Sequence, residues 1–168
     1  MTSLFIRTYG DNVLIKKASP VSKVTSETRE IVSQMTEIMY ANKGVGLAAP
    51  QVGISERIVV VDIGEGPLAL INPEIISKEG EDVGEEGCLS IPEITVEIER
   101  SQKILVTGLN TDGKTIKVKA INLMARALQH ETDHLNGTLI IDYADVRQRQ
   151  AIKDRLKKLK RQTLRRLC

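Results

Sequence analysis

Residues 123–137 read LMARALQHETDHLNG, and the rest of the chain is read outward from them. Leu123, Ala127, His130 and His134 follow at steps of four, three and four, so on a helix they form one stripe. The pattern predicts a helix from Leu123, with Asn122 as its N-cap and Asn136–Gly137 as its stop. Both imidazoles then lie along the buried side. His130, Glu131 and His134 form an HExxH pattern, which can turn both rings to one metal ion and bring the glutamate to a water on that ion. A catalytic metal usually takes three protein ligands and keeps one position open. The chain has only 2 His, so the third donor is a Cys, Asp or Glu. The longer protease pattern HExxHxxGxxH requires a histidine at 140, where this chain has Ile140. Two candidates for the third ligand stand out. Cys88 follows a glycine between strand signals. Asp142 lies just past the helix, too near in sequence to swing easily onto the same face. Cys168 is terminal, on a basic segment, and is read as incidental.

The 168 residues, 41% hydrophobic and 27% charged, suit one soluble globular domain over 1–168. Apolar runs are short, such as IVVV at 58–61, and the first residues contain no signal-peptide core. A cytoplasmic protein without membrane contact is expected. Two cysteines, one of them the last residue, make no disulfide framework. Aromatic residues are 2% with no Trp, which argues against stacking platforms for single strands, and no sequence-specific nucleic-acid binding is expected. The net charge of +2 is uneven: Tyr143–Cys168 carries +8, which leaves −6 for the remainder. An acidic body thus ends in a basic helix at about 145–166. Its Ile152, Leu156, Leu159 and Thr163 recur at helical spacing, and its charge suits an anionic docking partner.

Upstream, VTSETREIVSQMTEIMYANKG (24–44) has helical periodicity, with Thr25 or Ser26 as cap and Gly44 as end. GVGLAAPQVG (44–53) reads as a loop. Strand signals follow at 57–63, 68–72, 94–99, 103–109 and 115–120, and NTDGK (110–114) makes the last two a hairpin. Strands in the middle with helices at both ends predict an α+β fold with antiparallel sheets.

Three segments, GVGLAAPQVG, EEGCLSIP (85–92) and QHETDHLNG (129–137), resemble the three signature motifs of peptide deformylase, in the same order. The resemblance extends over nearly the whole chain. It implies antiparallel sheets packed around a central HExxH helix, with a C-terminal helix. It implies one divalent metal ion held by Cys88, His130 and His134: ferrous iron in the cell, with Zn(II), Ni(II) or Co(II) able to stand in, and with sensitivity to oxygen. The activity implied is removal of the formyl group from N-formyl-methionyl nascent peptides, releasing formate. A metal-bound water would attack the formyl carbon, with Glu131 as general base and then acid. Gln51 and the Leu89 backbone N–H would stabilise the charge on the formyl oxygen. Val45 and Gly46 would pair with the extended substrate, and Val45, Leu123 and Ala127 would line the methionine pocket. Further expectations are a Glu86–Arg100 pair bracing the Cys88 loop, Gln129 orienting its neighbours, and Asp133 holding a histidine ring. The basic helix is expected to contact the ribosome.

Overall fold

The computed structural model describes residues 3–168. Helix α1 (Ser26–Ala41) is followed by seven strands: β1 (Gly46–Ala48), β2 (Ile58–Val61), β3 (Leu68–Glu79), β4 (Asp82–Cys88), β5 (Ile91–Arg100), β6 (Lys103–Leu109) and β7 (Thr115–Ile121). Helices α2 (Asn122–Leu135) and α3 (Val146–Leu167) complete the chain. Strands β1-β2-β3-β6-β7 form one antiparallel sheet in that order, and β4-β5 form a separate hairpin.

β2 explains why the IVVV run is continuous rather than alternating. Val59 and Val61 face the cluster that holds Ala125, Leu128 and Leu135 of α2. Ile58 and Val60 face the cluster that holds Met35 and Met39 of α1. A strand covered on both faces has no solvent side on which to place polar residues. A third cluster joins Ile94, Val96 and Ile98 of β5 to Leu139–Ile141 and to Ile152 of α3. Helix α2 therefore lies on the five-stranded sheet, and its polar face is turned to the β4-β5 hairpin. That face carries HExxH.

The expected cap of α1 holds at Thr25, and the basic C-terminal helix starts where it was expected. Thr25 caps α1 in a reciprocal box with Thr28, and Asp145 caps α3 the same way with Gln148. Gly137 takes the left-handed conformation (φ 76°) just past α2, where an added Cβ would meet the Ile15 carbonyl oxygen at 2.5 Å. The predicted C-terminal stripe also holds, with Ile152 and Thr163 buried and Leu156 and Leu159 partly so.

Other local expectations are corrected. Asn122 does not cap α2: it enters the helix as its first residue, at φ 52°, and the preceding Ile121 offers no capping side chain. At the end of α1 the left-handed residue is Lys43 (φ 56°) rather than Gly44, whose N–H bonds to the Met39 carbonyl. The predicted loop 44–53 contains β1 and a 3₁₀ turn over Ala49–Val52. The strand predicted at 68–72 runs on to Glu79, past Pro73 and through bulges against β6. β4, rich in glycine and acid, had no strand signal.

Candidate active site

Cys88 ends β4, immediately before the two-residue turn Leu89–Ser90. His130 and His134 stand one turn apart on α2. The fold brings the three together: their ligand atoms all lie within 4.8 Å of one another. His134 Nε2 is 3.3 Å from both Cys88 Sγ and His130 Nε2. Metal bonds of about 2.0–2.3 Å at tetrahedral angles would set such ligand atoms roughly 3.3–3.6 Å apart, so the group fits one ion. Burial holds His134 well below the usual histidine range, in the neutral form that ligates. Its Nδ1 is buried without a partner among the described residues. Asp142 is not part of the group, because its carboxylate accepts from the Leu139 N–H at 2.8 Å. Cys168 is exposed at the chain end.

His130 is oriented from behind. Its Nδ1 donates to Glu86 Oε1 at 2.8 Å, which turns Nε2 toward Cys88 and His134. The side chain of Glu86 is only 5% exposed. Arg100 grips it with two bonds, Nε to Oε2 at 2.8 Å and Nη2 to Oε1 at 2.9 Å. Arg126 Nη1 adds a bond to Oε2 at 2.7 Å. Burial alone would raise this carboxyl, but Arg100 and His130 overcome it and hold it down at about 2. The expected Glu86–Arg100 pair is present, and it also reaches a candidate ligand. Asp133 is corrected: its carboxylate accepts from Arg100 Nη1 (2.6 Å) and the Tyr143 hydroxyl (2.6 Å), not from a histidine ring. Gln129 is a tie between elements, bonding both the N–H and the carbonyl of Ser101 at the β5-β6 turn.

Glu131 is 4% exposed, and its Oε2 has no hydrogen-bond partner among the described residues. Burial pushes its carboxyl up to about 7, against the opposing charge of His130. Across from it, an added Cβ at Gly46 would meet Glu131 Oε1 at 2.6 Å. No side chain fits between that backbone and the carboxylate. Gln51 is 1% exposed. Its Oε1 accepts from the Ala48 N–H at 2.9 Å, so the amide Nε2 turns to Ser90 Oγ (3.2 Å) and Cys88 Sγ (3.5 Å).

Gly46, Gln51, Cys88, His130 and Glu131 line a cleft of about 550 Å³ together with Val45, Leu89, Leu123, Arg126 and Ala127. Ala127 is buried, but Leu123 is 50% exposed and Val45 46%. The predicted buried stripe of α2 thus begins at Ala127, and Leu123 belongs to the mouth. Arg126, Glu85 and Glu93 also line the cleft and were not singled out from sequence. Arg126 had one usable signal, its position four residues before His130.

An HExxH helix whose histidines meet a cysteine beside a buried glutamate defines a class, the metal-dependent hydrolases. A family model described as polypeptide deformylase matches residues 4–150. A peptide deformylase from Halothermothrix orenii is 54% identical over 144 residues, covering 84% of this chain and 94% of that protein. The crystal structure of the peptide deformylase from Thermotoga maritima is 51% identical, covers 86% of this chain and 99% of its own, and superposes with a TM-score of 0.83. That from Legionella pneumophila is 37% identical, with 98% and 99% covered and a TM-score of 0.89. The chain belongs to the polypeptide deformylase family, hydrolases that remove the formyl group from N-formyl-methionyl peptides.

The contact between Gly46 and Glu131 generates a test. Gly46→Ala should leave metal uptake intact but push Glu131 aside, and kcat should fall by about 10²–10⁴, the usual worth of a positioned general base. An unchanged kcat would show that Glu131 needs no such clearance.

Proposed function

We propose that the cleft is where the formyl amide is hydrolysed, with one divalent ion held by Cys88 Sγ, His130 Nε2 and His134 Nε2. The single observation that carries this is the convergence of those three atoms beside the buried carboxylate of Glu131, whose Oε2 has no hydrogen-bond partner among the described residues. Bound there, the ion supplies a Lewis acid and an acidified water. Ferrous iron is the proposed ion in the cell, with Zn(II), Ni(II) or Co(II) as substitutes that suit the same donors.

Glu131 takes a proton from the attacking water as its oxygen bonds to the formyl carbon. It returns that proton to the amide nitrogen as the C–N bond breaks, releasing formate and the free methionyl amine. Gln51 Nε2 and the Leu89 N–H face the growing charge on the formyl oxygen, and the Ala48 bond keeps the Gln51 amide in that orientation. β1 is an edge strand of its sheet. Val45 uses its carbonyl on the Asp62 N–H at 2.9 Å, so strand alternation turns the peptide groups of Gly46 to the free edge. An extended substrate can pair there. Val45, Leu123 and Ala127 receive the methionine side chain.

The substrate reaches the enzyme as nascent chain, and α3 is proposed to meet the ribosome. Lys157, Lys158, Arg161 and Arg165 are exposed along a helix held to the body by Ile152 and Thr163. No helix among the described residues is long and apolar enough to cross a membrane. A cytoplasmic location accords with ribosome contact.

Metal-reconstituted wild-type protein should release formate from a short N-formyl-methionyl peptide and cleave no internal bond. Glu131→Ala should keep the metal and lose about 10²–10⁴ in kcat. Full turnover in that variant would remove Glu131 from the proton transfer. For the helix, replacing Lys157, Lys158, Arg161 and Arg165 with glutamate should abolish salt-sensitive ribosome cosedimentation at unchanged peptide activity. Retained cosedimentation would reject α3 as the docking element.

A further inference from the structure

Arg126 has a second partner set that the reaction does not call for. It stands four residues before His130 on α2, with its side chain 12% exposed. Its guanidinium makes four bonds: Nη1 to Glu86 Oε2 (2.7 Å) and to the Ile98 carbonyl (3.0 Å), Nη2 to the Asp82 carbonyl (2.7 Å) and to Asp82 Oδ2 (3.1 Å). One side chain therefore ties α2 to both ends of β4 and to β5. The strand it crosses is cut to suit it. A Cβ added at Gly84 would lie 3.3 Å from Arg126 Cζ and 3.4 Å from Nη2.

The consequence falls on Glu86. Two carboxylate oxygens offer about four acceptor positions. Oε1 takes His130 Nδ1 and Arg100 Nη2, while Oε2 takes Arg100 Nε and Arg126 Nη1. Arg126 fills the last position and so removes the remaining freedom of the carboxylate that aims His130. It also places a second, partly buried guanidinium against that carboxylate, which limits how much negative charge Glu86 lends to the ring. Groups that bond to a metal ligand from behind set both its direction and its strength as a donor.

We infer that Arg126 is a positioning residue of the metal centre, acting on His130 through Glu86, and that Gly84 is glycine to admit its guanidinium. The inference rests on Cys88, His130 and His134 being the ligands.

The test compares wild type, Arg126→Met, Arg126→Lys and Gly84→Ala, all as the full chain. Zn(II) affinity is read by competition with a chromophoric chelator, and the Co(II)-loaded proteins are read by their visible d–d absorption. Arg126→Met should bind Zn(II) about tenfold more weakly and shift the Co(II) band, the usual effect of losing a partner behind a ligand. Gly84→Ala, which displaces the guanidinium but keeps its charge, should move both readouts the same way. Arg126→Lys should fall between, since one ammonium can reach Glu86 but cannot span Asp82 and Ile98 as well. Unchanged affinity and an unchanged Co(II) band in both Arg126→Met and Gly84→Ala would overturn the inference and leave Arg126 a strut and cleft wall. A wild-type chain that takes up no ion would instead overturn the ligand assignment, and this inference with it.

Discussion

A single buried carboxylate, that of Glu86, joins the parts of this protein that matter for its chemistry. It sits on β4, in the smaller of the two sheets, and takes a bond from His130 on α2, which packs on the larger one. A buried carboxylate without partners would cost several kcal/mol and would neutralise itself by taking up a proton. Here two arginines and a histidine satisfy it from both sides, and it stays an anion. The network extends to Asp133 and Tyr143, so the turn that leads into α3 is fastened to the same point. Burial in such a network makes geometry rigid, because removing a member leaves a buried donor or acceptor with one bond unmade.

The cleft shows the complementary constraint. Glu131 is buried because Gly46 brings bare backbone over it, and the same absence of a side chain leaves the edge of β1 open. One glycine thus gives the carboxylate room and, in the proposed function, an extended chain access. Gln51 is fixed by a similar economy, since the Ala48 N–H that orients its amide belongs to the strand beside the cleft. The cysteine, the amide and the turn N–H come from the end of β4, the turn after it and the 3₁₀ turn after β1, so the candidate reacting groups sit on brief, well-tied segments rather than on long loops.

Much of this could be read in the residues. The HExxH helix, its ending at Gly137 and the hairpin at 110–114 all follow from local pattern. So does the docking stripe of α3. The third ligand did not follow from pattern alone: Cys88 and Asp142 stood as alternatives until motif order suggested one, and the fold then brought Cys88 to the histidines. What local pattern could not supply was cross-chain pairing. β4 has no strand signature because its glycines are chosen for clearance, as Gly84 is for Arg126, and its acids for partners, as Glu86 is. Asp133 looked like a partner for a histidine because of its position within HExxH, yet Arg100, thirty-three residues away, claims it. Leu123 shares the helical stripe of the proposed ligands, but the helix runs out from the core toward its first turn, and the stripe is exposed there.

The central claim is a metal bound by one sulfur and two imidazoles. X-ray absorption at the zinc edge of the Zn(II)-loaded protein tests it most directly. One sulfur scatterer at about 2.3 Å and two imidazole nitrogens at about 2.0–2.1 Å are predicted, with the sulfur lost in Cys88→Ala. A first shell with no sulfur in the wild-type protein would contradict the account.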